Sequence, residues 1–297
     1  MYDRIIIAVD GSEEAEHAAR HGLAFAAAVD ASVDVLHVVP RGSLQLTRSD
    51  DERSRLRERG EAALSAVESL AADFDRQVTT TLVEGRPARR ISEHATEAGA
   101  DLVVVGRQGT TGLGRRLIGG VTESVLHRSD VPVFVVPGGD GVAEGTEYDR
   151  LLVPTDGSEN AAAATRHGAA IARPYGAEIH VLNVVDLQAA GGVFSAGGLE
   201  REFVQRLEAR GREAVDGVVA DFEALDADLD VRPAVERTTS FDGAAAGIRE
   251  YVDANDIDLV VMGSHGRSNL QRQLLGSVAS TVLRTVDVPV VVVKRSG

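Results

Sequence analysis

The chain contains no cysteine and no tryptophan, a single lysine and only two methionines among its 297 residues. Without cysteine there are no disulfides, no thiolate metal sites and no cysteine nucleophile. No apolar run reaches the roughly 18 residues of a membrane span, so no membrane association is expected. The first ten residues carry Asp3 and lack a basic segment followed by a long apolar one, so no secretory signal is expected. Positive charge is also scarce. Lys+Arg total 31 against 46 Asp+Glu, a formal net charge of -15, and apart from Lys294 every cationic side chain is an arginine. So acidic a surface is poorly suited to gripping a nucleic-acid backbone, and no nucleic-acid partner is expected. High negative charge with almost no lysine suits a salt-rich cytoplasm, where screening offsets self-repulsion, and also fits a mildly acidic protein encoded by a GC-rich genome.

What the chain does have is length and internal repetition. At roughly 150 residues per domain, the length suggests two domains, and 43 % hydrophobic residues is enough for each to have a core. Residues 2–39 and 148–185 align without gaps at an offset of 146, with 19 of 38 positions identical. The repeats end alike as well: DLVVVGRQG (101–109) matches DLVVMGSHG (258–266), and DVPVFVV (130–136) matches DVPVVVV (287–293), now at an offset of 157. The second repeat therefore carries 11 extra residues in its middle, which the Gly-rich stretch 189–198 would accommodate. A period this long marks a duplicated domain and not a solenoid. The expected division is residues 1–138 for the first domain, 139–146 for a Gly-rich acidic linker and 147–297 for the second domain.

Within repeat one, short apolar runs alternate with helical patterns. Strands are expected at 4–9, 33–39, 77–84, 102–105 and 131–136, with helices at 13–28, 50–74, 87–98 and around 122–127. Ser12 is placed to cap the first helix, with Glu13 and Glu14 in its first turn, and Pro87 opens the third. The 50–74 helix places Leu56, Leu64, Val67 and Leu70 on one face. This alternation implies an α/β fold: a parallel sheet with helices on both faces, binding ligands beyond the C-terminal ends of its strands.

Those ends are rich in glycine. In repeat two the fourth strand runs into Gly263-Ser264-His265-Gly266, and after nine residues Gly276-Ser277 open a helix. Glycines let a backbone approach an anion, and a helix N-terminus offers free N–H groups. The arrangement is neither a Gly-Lys-Ser/Thr phosphate loop nor a GxGxxG fingerprint, and taken alone it also fits an ordinary turn. The first strand of each repeat ends in an aspartate, Asp10 and Asp156. Each is placed either to accept hydrogen bonds from ribose hydroxyls or to cap the following helix. His21 and His167 recur at equivalent helix positions, each before a glycine, which suggests packing and not metal binding.

Taken together, Gly263-x2-Gly266-x9-Gly276-Ser277, the early aspartate, the HVV/NVV second strand and the DVPVVVV end resemble the ATP-binding motif and frame of the universal stress protein family. The resemblance spans nearly the whole chain. It implies two tandem Rossmann-like domains of strand order 3-2-1-4-5, paired through their fifth strands as an intrachain pseudo-dimer, with further homodimer assembly open. ATP, with or without Mg²⁺, is the implied ligand, and an unidentified protein the implied partner.

By resemblance, Asp156 would bind the ribose in repeat two, and Pro154, Thr155 and the Val184 backbone would line the adenine pocket. Gly263, Gly266 and the intervening Ser264 and His265 would approach ribose and phosphates, and Gly276, Ser277 and Val278 would hold the phosphates; His265 and Arg267 lie close enough in sequence to add polar contacts, and equally fit solvated loop residues. The counterparts in repeat one are Ala8, Val9, Asp10, Val38, Gly106, Arg107, Gly109, Gly119, Gly120 and Val121. Repeat one departs from the family where Gly120 replaces a Ser or Thr, which makes it the weaker site, although Arg107, Arg115 and Arg116 are near enough in sequence to compensate. Repeat two departs at Glu236–Ser240, where the family has a Gly-x-Pro turn. A nucleotide-free interaction module and a slow ATPase are the alternatives. The sequence shows no clear general base and no metal-binding carboxylate pair at the phosphate end, so binding is favoured over turnover. The SGGxDS and HxGH motifs of nucleotidyl transferases are missing.

Overall fold

The computed structural model describes residues 1–41, 50–109, 117–138, 146–191, 201–266 and 275–294. The chain divides into two compact units, Met1–Thr146 and Glu147–Gly297. In unit one the elements run β1 (Arg4–Val9), α1 (Glu13–Val29), β2 (Ser32–Pro40), α2 (Asp50–Ala72), β3 (Val78–Gly85), α3 (Pro87–Ala98), β4 (Leu102–Gly106), α4 (Gly120–Arg128) and β5 (Val133–Val136). Unit two runs β6 (Arg150–Pro154), α5 (Glu159–Tyr175), β7 (Glu178–Asp186), α6 (Leu187–Gly191), α7 (Arg201–Leu225), β8 (Val231–Thr238), α8 (Ala244–Ala254), β9 (Leu259–Gly263), α9 (Ser277–Thr285) and β10 (Val290–Val293). Among the described residues, no helix is long and apolar enough to cross a membrane.

Every strand pairing within a unit is parallel. β1 lies between β2 and β4, with β3 outside β2 and β5 outside β4. Unit two repeats this with β6 between β7 and β9, β8 outside β7 and β10 outside β9. Each unit thus has the expected 3-2-1-4-5 order. The central strands are almost wholly buried, Ile5, Ile6, Ile7, Leu151 and Leu152 having no exposure, as helices on both faces require. Leu64, Val67 and Leu70 of α2 are buried as the helical period predicts, while Leu56 is half-buried.

Both units use the same local devices to hold their elements in place. The Asp101 carboxylate accepts from the amides of Asp3 and Arg4 (2.8 and 3.0 Å), and Asp258 accepts from those of Asp149 and Arg150 (2.8 Å each). Ser12 and Ser158 cap α1 and α5, each accepting from the amide three residues on at 3.2 Å. The His-Gly pairs pack the first helix against the sheet. A Cβ at Gly22 would meet Ile7 at 2.9 Å and Val104 at 3.2 Å, and one at Gly168 would meet Val153 at 3.1 Å. His21 beside Gly22 is 1 % exposed and stacks edge-to-face on His17, ring centroids 4.7 Å apart.

The extra residues of unit two do not sit in one place. The offset between equivalent strands is 146 for β2 and β7, 153 for β3 and β8, and 157 for β4 and β9. Seven extra residues therefore precede β8, and four more separate β8 from α8. The single insertion expected at 189–198 accounts only for the first group, and its residues from 192 on lie outside the described ones. The second group rebuilds the turn flagged at Glu236–Ser240. Unit one goes from Gly85, the last residue of β3, through Arg86 straight into Pro87. Unit two runs on to Gly243, whose φ of +54° starts α8.

Candidate nucleotide site at the strand ends

The C-terminal ends of β6 and β9 part where the strand order reverses. Their loops run in opposite directions from that point and leave a crevice. On the β6 side the chain continues through Thr155 and Asp156 into α5. Asp156 does not cap the helix itself: its Oδ1 accepts from the Ser158 amide (3.0 Å), and Ser158 makes the cap. Asp10 and Ser12 repeat this at 3.0 Å, with a second bond from the Ser12 hydroxyl at 2.6 Å. Of the two roles open to the aspartates, direct capping is thus taken by the serines. Thr155 is buried, and its hydroxyl accepts from the Gly157 amide at 3.1 Å.

On the β9 side, Gly263 sits beneath the first turn of α5, and a Cβ there would lie 2.5 Å from the carbonyl oxygen of Asn160. The loop then turns over Asp156. A Cβ on Gly266 would lie 2.5 Å from the Asp156 Oδ2, and Gly109 stands in the same relation to Asp10. The loop is stitched down by Ser264 N to Val293 O and Gly276 N to Ser264 O, both 2.8 Å. Arg107 N to Val136 O (2.7 Å) and Gly119 N to Arg107 O (2.8 Å) do the same in unit one. Ser264 is buried, with its hydroxyl 2.9 Å from the His265 Nδ1. Arg107, its counterpart, is also buried. Gly276 is the N-cap of α9 and Ser277 its first residue; Gly119 and Gly120 hold these places in α4. Ser277 is exposed, as are Val278 and Val121. A Cβ on Gly120 would meet nothing within 4 Å.

The orientation of Val184 and Val38 follows from the ladder. In β7, Glu178 N donates to Asp149 O (2.9 Å) and Leu182 O accepts from Thr155 N (2.8 Å), so even-numbered residues turn their backbone groups toward β6. Val184 faces the same way, but the β6 ladder stops at Pro154. Its N–H and C=O therefore point into the space beside Thr155 and Asp156. Its side chain turns away onto α8, where a Cβ on Gly247 would be 2.5 Å from the Val184 Cγ1. In unit one Ser32 N donates to Asp3 O, which turns Val38 likewise toward the β1 end, near Ala8 and Val9.

Most of the residues singled out in the sequence are thus gathered at one end of each sheet. Arg267, Arg115 and Arg116 lie outside the described residues. Asn183, which the motif did not include, belongs to the same end: its Nδ2 donates to Thr155 O at 2.7 Å and ties β7 to the loop that follows β6. The only signal was the N of NVV, against the H of HVV in repeat one. Among the described residues no cluster of three or more His, Asp or Glu side chains could hold a metal ion.

A doubly wound parallel sheet with a glycine loop and a helix N-terminus at its switch point defines the class: Rossmann-like α/β domains, here two in tandem. The sequence profile of the universal stress protein family matches residues 1–137 and again 147–294. The chain belongs to the universal stress protein family. It is 30 % identical to a universal stress protein of Mycolicibacterium smegmatis over 298 residues, 98 % of this chain and 96 % of that one. A Mycobacterium tuberculosis universal stress protein is also 30 % identical, over 308 residues covering 98 % and 97 % of the two chains. The crystal structure of a universal stress protein from Archaeoglobus fulgidus superposes with a TM-score of 0.71, covering 99 % of this chain and 97 % of that one at 22 % identity, a likeness of fold.

Proposed function

We infer that the protein binds ATP in unit two and serves a stress-response or regulatory role through that binding. One observation carries the reading: Gly266 holds the loop backbone directly against the Asp156 carboxylate. A ribose acceptor and a phosphate-facing loop thereby share one crevice, with the Val184 backbone edge on one side and the α9 N-terminus on the other. Val184 offers one donor and one acceptor to a base edge, Asp156 accepts from ribose hydroxyls, and the Gly276–Val278 amides with the Ser277 hydroxyl receive phosphate oxygens. Unit one keeps the backbone donors but lacks the hydroxyl at Gly120. A hydrogen bond to a charged group contributes about 1.5–3 kcal/mol, so unit one binds roughly ten- to a hundredfold more weakly. The cytoplasmic, salt-rich setting suggested by the charge balance, and pairing of the two units through their fifth strands, belong to the same reading.

The test is to purify the protein without added nucleotide, denature it and quantify the released adenine nucleotide per chain. About one per chain, lost in Ser277→Ala or Gly276→Val, supports unit two as the site. About two would show that Gly120 is tolerated and overturn the asymmetry. None, with no binding on titration with ATP, would overturn the nucleotide reading in favour of a nucleotide-free interaction module.

A further inference from the structure

The outermost strand beyond β2 or β7 in each unit has a row of backbone groups that its own sheet does not use. In unit one, Gly85 O accepts from Arg41 N, just past β2, at 2.8 Å. The odd-numbered residues of β3 therefore turn their N–H and C=O groups toward β2. Successive residues of a strand alternate, so Val78, Thr80, Leu82 and Glu84 turn theirs outward. Among the described residues no strand lies beyond β3. In unit two, Asp230 O accepts from Ile179 N at 2.8 Å, which makes Val231, Pro233, Val235 and Arg237 the outward row of β8.

The two edges are finished differently. Pro233 lies opposite Val181 of β7 and Thr80 opposite Val35 of β2, the same place in each sheet. Proline has no N–H to offer, and proline and charged side chains are the usual means of keeping an open edge from pairing. β8 surrounds its proline with exposed Arg232, Glu236 and Arg237. β3 reads Val-Thr-Thr-Thr-Leu-Val over 78–83, with no proline and no charge. Its one charged residue, Glu84, is already paired with Arg41 at 2.6 Å. The duplicated unit thus shows that the fold accepts a blocked edge at this place, and unit one leaves the edge open.

We propose that the β3 edge of unit one is an interface with a second copy of this chain, β3 pairing antiparallel with β3 across a two-fold axis. The strand fits itself. With the axis at Thr81, Thr80 of each copy faces Leu82 of the other, and Val78 faces Glu84. The outward rows then coincide, and each facing pair exchanges both of its N–H···O bonds. The two Glu84 carboxylates fall at opposite ends of the ladder, about 20 Å apart at the rise of a strand, well beyond the screening length of about 10 Å at 0.1 M salt. The neutral centre and the separated carboxylates favour a second copy over an unrelated strand. Each copy carries a net charge of -15, so added salt should tighten the pair by screening their repulsion. The proposal is independent of the nucleotide reading of unit two.

The test is sedimentation velocity of the full chain over a range of protein and salt concentrations, with the melting temperature of each variant checked first. A monomer–dimer equilibrium that tightens with salt is expected. Thr80→Pro, which removes an outward N–H, should weaken it by roughly tenfold or more, and Thr80→Val, which keeps that N–H, should change it little. Pro233→Thr opens the edge of unit two and should add association beyond the dimer. Hydrogen exchange of the unaltered chain is a second readout: the Thr80 and Leu82 amides should slow as dimer forms, while those of Val231 and Val235 keep their rates. A chain that stays monomeric at high protein and salt concentration would overturn the proposal and leave the edge to a strand of another protein. A dimer as tight in Thr80→Pro as in the parent, or Thr80 and Leu82 amides that exchange equally fast in monomer and dimer, would overturn it in favour of another surface.

Discussion

Asn183 and His37 occupy the same position in the two units, at the end of the second strand, and both turn toward the chain that leaves the first strand. Asn183 donates to the Thr155 carbonyl at 2.7 Å. His37 interacts with the backbone of Val9 and with Asp10, while burial lowers its pKa from the usual imidazole value. Each lies beneath a glycine of the overlying helix, Gly211 for Asn183 and Gly60 for His37, where a Cβ would come within 2.6 Å. Replacing Asn183 by Ala leaves the buried Thr155 carbonyl without its donor, at a cost of about 1–3 kcal/mol. Thermal unfolding should show a lowered midpoint for Asn183→Ala, and ATP binding should weaken with it. An unchanged midpoint would mean that water replaces the amide.

Gly120→Ser restores the hydroxyl that distinguishes unit two. Space for the Cβ is open, so no stability should be lost. The expected result is a rise from about one to about two nucleotides per chain at micromolar ATP, corresponding to a gain of roughly tenfold or more in unit one. Failure to gain would assign the asymmetry to Arg107 in place of Ser264.

Gly263→Ala and Gly106→Ala differ in a way that checks the loop geometry. At Gly263 the new Cβ would lie 2.5 Å from a backbone carbonyl oxygen and 2.9 Å from its carbon; at Gly106 the nearest atoms are 3.0 and 3.2 Å away. Backbone cannot move aside as a flexible side chain does, and overpacking typically costs about 1–3 kcal/mol. Gly263→Ala should therefore lower the denaturation midpoint clearly more than Gly106→Ala. Equal effects would contradict the closer packing of α5 on β9.

Acid should destabilise the protein through His21 and His167, which stand at equivalent places in α1 and α5. Burial, with His17 and Arg20 nearby, pushes His21 down to about 3, and burial pushes His167 down to about 4. The folded state therefore disfavours protonation, and the unfolded chain binds protons first. Stability is undiminished above about pH 6.5 and falls as pH drops from there toward the folded values. At pH 5 the loss is on the order of 2 kcal/mol per histidine. Denaturation midpoints from pH 7.5 to 5 should decline, with a shallower slope in His21→Gln. A flat profile would show that these imidazoles are charged in the fold.

The framework of the fold was legible because it is written in periodicity. Unbroken apolar runs such as Ile5–Ile7 and Leu102–Val105 read as buried strands, and Ser12 before Glu13 and Glu14 marks a helix start. The loop around Asp156 was legible in part, since its glycines stand in the sequence but their contacts do not. What escaped were contacts between residues far apart in the chain. Asp34 and His94 meet at 2.6 Å between β2 and α3, and the equivalent places hold His180 and Tyr251 at 2.9 Å. No local pattern links partners 60 and 71 residues apart, and the substitution of one polar pair for another removes the identity that repeat alignment depends on. The four residues added before α8 escaped for a related reason: turns carry no period, so the sequence marks that the loop departs without saying where the helix restarts.

The carboxylate clamps at the opposite end of the sheet bear on how a ligand is received. Asp101 precedes β4 and holds the two amides that begin β1, and Asp258 does the same between β9 and β6. Neither pair of strands can slide along its neighbour without breaking two hydrogen bonds at its base. The stagger of the two strand ends on the far side is consequently held from below. A ligand received there, as proposed, would meet two strand ends of fixed relative height, and selectivity would lie in the loops they carry.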